Sequence, residues 1–271
     1  MRTILITGTS SGLGEYLAYK LVKEGNRVIG ISRSPITPKS KLQNFLDKSY
    51  FHKVINLRNR EEILNLPNTL SSEISSSISA VISNAGIYGP LGKLSDIDID
   101  EFVDSIEVNL ISPFLIAKTF IPIICSNNHK RPKFIQISGG GATKPMFFAL
   151  SYAASKSGVV RLIESISQEY KNKCDINSIA PGLLNTKLLD QILEAGSEKV
   201  GLEFYENMKS QKITGGTDMI KTFNLVEFLL SKKSDGITGK LISAVWDEYI
   251  SWPEKINKLN ESDIYTLTRK V

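Results

Sequence analysis

A tyrosine and a lysine stand four residues apart in the chain, as Tyr152 and Lys156. On a helix, residues at i and i+4 lie on the same face one turn apart, so the phenol and the ammonium can converge on one point. A free tyrosine titrates near pKa ~10 and is a poor acid or base at neutral pH, whereas a neighbouring positive charge lowers that pKa. This pair could therefore perform general acid–base catalysis. The same spacing also arises by chance on exposed helices, so the other motifs decide its meaning.

Glycines mark a second feature, directly after the first apolar segment. Gly8, Gly12 and Gly14 allow a tight turn, a close approach of the backbone to a pyrophosphate, and close helix–strand packing. The helix that follows offers free N–H groups and a positive dipole end to phosphates. The spacing is Gly-x-x-x-Gly-x-Gly rather than the commoner Gly-x-Gly-x-x-Gly, but its place between a strand and a helix predicts a dinucleotide site. The predicted contacts are Gly8, Ser10, Ser11, Gly12, Leu13 and Gly14.

The end of the second strand, ~20 residues further on, determines the cofactor preference. An acidic side chain at this place would hold the adenosine ribose. Ser32 and Arg33 stand there instead, and no carboxylate accompanies them. Arg33 can pair with a 2′-phosphate, and Ser32 can donate a hydrogen bond to it. We predict NADP(H) as the cofactor, with NAD(H) as the alternative.

Alternating strands and helices must position these residues. Strands are predicted at residues 3–7, 28–31, 50–57, 80–83, 134–138, 176–180 and 237–245. Helical patterns follow the first strand and cover 101–125 and 152–170, and we expect Pro113 to kink the former and Pro122 to end it. Short apolar strands separated by helices predict a parallel sheet covered on both faces. The predicted fold class is α/β, a Rossmann-like doubly wound sheet that forms a single domain over residues 1–271.

Composition excludes several classes of function. The chain has 271 residues, of which 41% are hydrophobic, and a net charge of +5. No apolar run approaches the ~20 residues of a membrane span, and the first apolar segment begins too early to follow a signal peptide. Cys125 and Cys174 are predicted to be buried free thiols, which indicates a reducing cytoplasm. The lysines are scattered, so we predict no nucleic-acid partner and no membrane partner, and we expect no metal site.

Six motifs in order resemble the classical short-chain dehydrogenase/reductase family over nearly the whole chain. They are Thr-Gly-x-x-x-Gly-x-Gly at residues 7–14, Asn-Ala-Gly at Asn84, Ala85 and Gly86, the helix asparagine Asn109, the strand-end serine Ser138, Tyr-x-x-x-Lys at Tyr152 and Lys156, and Pro-Gly with a later threonine at Pro181, Gly182 and Thr186. Each motif alone is modest, but six in the family's order are specific.

The resemblance implies hydride transfer between a nicotinamide and a carbonyl or secondary alcohol. It implies catalytic roles for four residues, Asn109, Ser138, Tyr152 and Lys156. Tyr152 would give or take the proton, Ser138 would hold the substrate oxygen, and Lys156 would also hold the nicotinamide ribose. Asn109 would keep a water beside the lysine. Cofactor contacts are implied for Asn84, Ala85, Gly86, Tyr152, Lys156, Pro181, Gly182 and Thr186.

The chain departs from the family's pattern at three places. Asn56 replaces the usual aspartate after the third strand, and with Leu57 it is predicted to contact the adenine. Three consecutive glycines at 139–141 make the loop after Ser138 permissive, and the family's C-terminal Asp-Gly-Gly is missing. The last change affects substrate class and assembly rather than cofactor chemistry.

Substrate identity is the least determined property. Residues 146–148 could form an apolar wall, and residues 183–217 are predicted to form a lid over a small-molecule carbonyl or alcohol substrate. Residues 239–247 resemble the endings of reductases from bacterial surface-polysaccharide clusters, which weakly indicates a sugar-derived substrate. Two other functions stay open: a sugar-nucleotide epimerase or dehydratase, and a non-catalytic dinucleotide-binding sensor. The long helices carry surplus apolar residues, and as in related enzymes they are predicted to form a homodimer or homotetramer.

Overall fold

Seven parallel strands form one sheet in the computed structural model, which describes residues 1–127 and 129–269. They are β1 Thr3–Thr7, β2 Arg27–Ser32, β3 Tyr50–Val54, β4 Ile78–Ser83, β5 Lys133–Ile137, β6 Asp175–Ala180 and β7 Leu241–Ser243. Their order across the sheet is β3-β2-β1-β4-β5-β6-β7. The winding direction reverses between β1 and β4, and the crevice at their carboxyl ends is where such sheets bind ligands. The predicted doubly wound α/β fold is confirmed.

Helices cover both faces of the sheet. In the described part of the chain they are α1 Gly12–Lys23, α2 Arg60–Asn65, α3 Ser72–Ser77, α4 Ile99–Ile106, α5 Ser112–Ser126, α6 Leu150–Glu169, α7 Lys187–Ala195, α8 Ser197–Val200, α9 Leu202–Thr214, α10 Met219–Leu230 and α11 Ile256–Asn260. On one face Leu17 of α1 and Val226 of α10 belong to the same core as Ile4. On the other face Phe120 of α5 belongs to a core with Leu5. Neighbouring residues of β1 thus serve opposite cores, as the two-residue period of a strand requires.

α4 and α5 form one continuous rod, because a π-turn at Glu107–Ile111 joins them. The rod, Ile99–Ser126, is the one helix in the described residues that is long and apolar enough to cross a membrane. The expectation that no apolar run has this length was therefore wrong. Its apolar residues serve the protein core instead, since Ile116 and Phe120 are buried beneath the sheet.

Several predicted element boundaries differ from the observed ones. β3 ends at Val54 rather than at residue 57, and β4 begins at Ile78 rather than at residue 80. Pro122 lies inside α5, which continues to Ser126, because Ile124 in the last turn is held in the core. β7 covers only Leu241–Ser243 of the predicted 237–245. Its end is set by the Ser243 hydroxyl, which accepts hydrogen bonds from the next backbone N–H groups and turns the chain.

Candidate active site

A cavity of about 850 Å³ opens at the carboxyl ends of the central strands. All the predicted cofactor contacts line it, namely Gly8, Ser10, Ser11, Gly12, Leu13, Gly14, Ser32, Arg33, Asn56, Leu57, Asn84, Ala85, Gly86, Tyr152, Lys156, Pro181, Gly182 and Thr186. Ser138 lines it as well, whereas Asn109 lies behind the wall. The fold therefore gathers these distant segments at one place, and their individual roles stay predictions.

The glycine-rich turn leaves room for a pyrophosphate and cannot accept side chains. A Cβ on Gly14 would lie 2.2 Å from the carbonyl oxygen of Gly8, so α1 packs directly on the strand end. Gly8 itself has φ +78°, a backbone conformation that favours glycine. The Ser11 side chain makes no capping hydrogen bond to α1. The first N–H groups of α1 are thus left for a phosphate, so the site fits a dinucleotide.

Asn84 joins this turn to β4. Its Nδ2 donates to the Thr7 carbonyl at 2.9 Å, and the Thr7 hydroxyl accepts from the backbone N–H groups of Asn84 and Ala85 at 2.9 and 3.0 Å. These bonds fix the distance between the carboxyl ends of β1 and β4, where the crevice lies.

The end of β2 differs in one respect from the prediction. Ser32 is buried, and its hydroxyl donates to the Ser34 carbonyl at 2.6 Å and lies 3.2 Å from His52 Nε2. In this arrangement the Ser32 hydroxyl proton is directed at the Ser34 carbonyl, so the predicted hydrogen bond from Ser32 to a 2′-phosphate would require the hydroxyl to turn. Arg33 is exposed at the cavity and forms no ion pair within the described residues. It is the group that can meet a phosphate here.

Tyr152 and Lys156 share one face of α6, and both line the cavity. The Lys156 ammonium lies 5.5 Å from the centre of the Tyr152 ring and donates to the Ile137 carbonyl at 3.2 Å. Ser138, at the end of β5, has its hydroxyl 3.5 Å from the Lys156 carbonyl. Three of the four predicted catalytic residues, Ser138, Tyr152 and Lys156, thus line the same cavity.

Burial sets the ionisation of this pair. It raises the pKa of Tyr152 above the ordinary value, and the neighbouring Tyr88 adds to the rise. Burial also lowers the pKa of Lys156 to about 8. The expected lowering of the tyrosine pKa by the lysine is therefore outweighed within the protein alone, because the phenolate would be desolvated and the lysine holds its own charge less strongly. At neutral pH Tyr152 is a protonated donor.

Asn109 is fully buried in the π-turn between α4 and α5. Its Oδ1 accepts from the Ile87 N–H at 2.9 Å, and its Nδ2 donates to the Ile87 carbonyl at 2.7 Å. A Cβ on Gly86 would lie 3.2 Å from Asn109 Oδ1 and 3.3 Å from Lys156 Nζ. The asparagine therefore lies beside the lysine, and its side chain braces the loop after β4.

Basic residues and an apolar cluster both line the cavity. Among the described lining residues the basic ones are Arg33, Arg58, Lys144, Lys156 and Lys187, and the acidic one is Asp247. This excess suits an anionic ligand such as a dinucleotide. The apolar cluster around Tyr152 includes Leu189, Met208 and the partly buried Phe204, all of which line the cavity. Of the predicted apolar wall, Met146 lines the cavity, whereas Phe147 is 80% exposed.

The predicted lid, residues 183–217, starts and ends at the same place in the structure. It begins and ends at an isolated antiparallel bridge between Leu184 and Gly216, next to a hydrogen bond of 2.7 Å from the Thr217 N–H to the Leu183 carbonyl. α7, α8 and α9 lie between these points. Their buried residues belong to the apolar cluster that contains Tyr152, so this segment forms a roof over that cluster.

Two features of the site were missed in the sequence. Tyr88 packs against Tyr152 with ring centres 4.5 Å apart. A Cβ on Gly139 would lie 2.5 Å from the Tyr152 hydroxyl, so any residue larger than glycine would displace that hydroxyl. The position of Tyr88 directly after the Asn-Ala-Gly-Ile segment was a usable signal, because that segment follows β4 into the crevice.

Comparisons with known proteins agree with this geometry. The short chain dehydrogenase family model matches residues 2–196. The 3-oxoacyl-acyl-carrier-protein reductase of Rickettsia prowazekii (strain Madrid E) is 31% identical over 246 residues, covering 89% of this chain and 94% of the relative. The (S)-benzoin-forming benzil reductase of Bacillus cereus is 29% identical over 213 residues, covering 73% of this chain and 82% of that enzyme.

Among solved structures, the ligand-free aldohexose dehydrogenase of Thermoplasma acidophilum is similar with a TM-score of 0.75 and 25% identity, covering 89% of this chain and 91% of that one. The family match, the parallel sheet and the Tyr152–Lys156 pair at its crevice lead to one assignment. The chain belongs to the short-chain dehydrogenase family, whose members are oxidoreductases that use a nicotinamide cofactor.

Proposed function

We propose that the protein is an NADP(H)-dependent carbonyl reductase whose substrate is a largely apolar ketone. One observation carries this proposal: the glycine-rich turn, Ser138 and Tyr152 line the same cavity, and Tyr152 belongs to the apolar cluster. A dinucleotide on the glycine-rich turn and a ketone against the apolar cluster would therefore share this cavity with the two hydroxyls.

The residues divide the reaction between them. When bound, the nicotinamide supplies the hydride that reduces the carbonyl carbon. Tyr152 donates its proton to the carbonyl oxygen as negative charge grows there, and Ser138 donates a hydrogen bond to the same oxygen. Lys156, charged at neutral pH, stabilises the phenolate that Tyr152 becomes. The raised pKa of Tyr152 favours the reducing direction, because the phenol must carry a proton for that step.

The central experiment replaces Tyr152 with Phe, which keeps the ring packing and removes the proton. We expect turnover of carbonyl substrates to fall on the order of 10²–10⁴-fold, the usual size of a lost general acid. NADPH affinity, measured by fluorescence titration, should stay near the wild-type value because the glycine-rich turn, and not the phenol, would hold its phosphates. Lys156→Ala should weaken cofactor binding and turnover together. A Phe variant with near-wild-type turnover would refute the mechanism.

NADPH selectivity is proposed to depend on Arg33. Arg33→Ala should weaken NADPH binding by roughly 10- to 100-fold and spare NADH, since a charge-assisted hydrogen bond contributes about 1.5–3 kcal/mol. Arg60→Ala is the matched control, because Arg60 is another exposed arginine, pairs with Glu107 and lies outside the main cavity. Equal losses for both cofactors would show that Arg33 does not recognise the 2′-phosphate.

A sugar-derived substrate is the second candidate, supported by the similarity to an aldohexose dehydrogenase. The apolar roof over Tyr152 favours the apolar ketone. Mass spectrometry of small molecules that co-purify with the protein, followed by kcat/KM for aryl ketones and sugars, separates the two. If the protein binds the cofactor but turns over neither aryl ketones nor sugars, a non-catalytic dinucleotide-binding sensor becomes the better explanation. If it converts a sugar without net oxidation of the cofactor, an epimerase or dehydratase does.

A cytoplasmic location is part of the proposal. Cys125 and Cys174 are free thiols that lie in the same apolar core, and neither is bridged. Unbridged thiols suit a reducing compartment.

A further inference from the structure

The loop that carries Tyr88 is held rigidly from behind. Asn109 binds both the N–H and the carbonyl of Ile87, and the Ser151 hydroxyl donates to the Tyr88 carbonyl at 3.3 Å. The next residue, Gly89, has φ +73°, and a Cβ there would lie 2.6 Å from the Ser151 hydroxyl. Ser151 belongs to α6, which also carries Tyr152. The two tyrosines are therefore fixed relative to each other by the backbone of one loop and one helix.

Tyr88 presents an unused hydroxyl to the cavity. The residue is only 7% exposed, and it lines the cavity beside Tyr152. Among the described residues its hydroxyl has no hydrogen-bond partner, and it is absent from the hydroxyls that are sealed away from solvent. A substrate that covers this hydroxyl without pairing with it would leave its hydrogen bond unmade, which is unfavourable. Burial raises the pKa of Tyr88 to about 12, so the group stays protonated and acts as a donor.

The surroundings of this second donor are apolar. Tyr88 and Tyr152 belong to one cluster, together with Ala149, Leu189, Ile192, Val200 and Met208. A substrate that satisfies both hydroxyls must bring two oxygens close together on an otherwise apolar framework. A simple ketone would satisfy Tyr152 and leave Tyr88 unpaired, which a site built around two donors penalises.

We propose that Tyr88 donates a hydrogen bond to a second substrate oxygen while Tyr152 protonates the first, so that the preferred substrates are apolar dicarbonyl compounds with neighbouring carbonyl groups. This inference rests on the proposed carbonyl reductase function and adds its substrate class. Tyr88 would be a specificity-determining residue. It binds the carbonyl that is not reduced, and no proton leaves it.

The test compares a diketone with a monoketone of the same skeleton. Benzil carries two adjacent carbonyls between phenyl rings, and deoxybenzoin carries one. Tyr88→Phe should lower kcat/KM for benzil by on the order of 10-fold, the typical loss for one hydrogen bond, and leave deoxybenzoin within about 2-fold. The intrinsic reactivity of each compound cancels, because each variant is compared with the wild type on the same compound.

Tyr205→Phe is the matched control. Tyr205 is a partly buried tyrosine of the same cluster that does not line the cavity, so its loss should change neither ratio. NADPH affinity and thermal unfolding of Tyr88→Phe should match the wild type, which shows that the variant folds.

Three outcomes overturn the inference: equal falls for both ketones, no fall for either, or a wild type that binds benzil no more tightly than deoxybenzoin in competition experiments on the NADPH-loaded protein. If the wild type reduces other carbonyl compounds but binds benzil no more tightly than deoxybenzoin, only the dicarbonyl preference is refuted. If none of the carbonyl compounds tested supports NADPH oxidation by the wild type, the proposed function itself is refuted.

Discussion

Burial governs the acid–base chemistry at the scale of single residues. Lys156 is surrounded by protein, which lowers its pKa to about 8 and leaves it charged at neutral pH. Tyr152 has a raised pKa and keeps its proton throughout the same range. The charge of the lysine, rather than that of the tyrosine, is therefore the quantity that pH changes first.

This order of ionisation predicts the pH dependence of reduction. Reduction needs a protonated Tyr152 and a charged Lys156, so kcat/KM should be level near neutral pH and fall as the pH rises through about 8. Above that value the fall should approach tenfold per pH unit. Lys156→Arg should move the fall to higher pH if the variant retains activity, because a guanidinium stays charged. A wild-type profile that stays flat well above pH 8 would contradict the assignment.

Position 139 should tolerate substitution as poorly as the catalytic positions do. Gly139→Ala would place a methyl group 2.5 Å from the Tyr152 hydroxyl and displace it, whereas a Cβ on Gly140 meets no atom within 4 Å. A misplacement of about 1 Å can cost up to about 10²-fold in rate. We expect a fall of that order in kcat for Gly139→Ala, little change for Gly140→Ala, and unchanged NADPH affinity for both. Equal kcat values for the two variants would show that the hydroxyl adapts.

The site residues that belong to short motifs could be predicted from the sequence alone. Tyr152 and Lys156 were predictable from their spacing, and Gly8, Gly12 and Gly14 from their place after a strand. Tyr88 and Gly139 were not, because their importance depends on a ring contact and a missing Cβ between segments far apart in the chain. The second contact of the Ser32 hydroxyl likewise depends on β3, which supplies His52.

At the scale of elements, the roof formed by α7, α8 and α9 depends on its closing bridge. Gly215 has φ +88° and Gly216 φ +67°, yet only at Gly216 would a Cβ approach backbone, at 2.7 Å from the Leu183 carbonyl oxygen. Alanine at either position should cost about 1–2 kcal/mol for the left-handed conformation. Only Gly216→Ala should also open the bridge to Leu184.

We therefore expect Gly216→Ala to raise the substrate KM several-fold and to expose residues 183–217 to limited proteolysis, with a smaller effect on NADPH affinity. Gly215→Ala serves as the control for backbone strain. If the two variants are cleaved equally, the bridge does not hold the roof in place.

Strand and helix existence followed from apolar periodicity, whereas some boundaries did not. β1 and β6 match the predicted limits within a residue because turn-forming residues bound them. β7 was predicted too long, since its alternating pattern continues into a turn that the Ser243 side chain makes. Pro122 was expected to end α5, but packing of the following turn outweighs the lost backbone hydrogen bond.

At the scale of the whole molecule, the α4–α5 rod leaves apolar side chains uncovered. Ile99, Val103 and Phe114 are 77%, 56% and 39% exposed, and their spacing places them along one side of the rod. Of the apolar residues on the two long helices, Leu115, Val159, Val160 and Ile163 are buried within the subunit and are not available for assembly. The exposed residues are the better candidates for contact with a second copy.

We predict a homodimer through this side of the rod. Val103→Glu and Phe114→Glu should each shift the mass from light scattering at micromolar concentration towards the monomer, because a charge in an apolar interface is unfavourable. Leu64→Glu, at an exposed position on α2, should not. A wild type that is already monomeric would refute the prediction.

The π-turn gives the rod a mechanical role. The outer side of the rod carries the proposed contact with a second subunit, while the inner side carries Asn109, which holds the Ile87 backbone. Association would stiffen the same rod that braces the Tyr88 loop. Activity per subunit should therefore depend on enzyme concentration, declining on dilution as dimers separate, and the decline should be steeper for diketones than for monoketones.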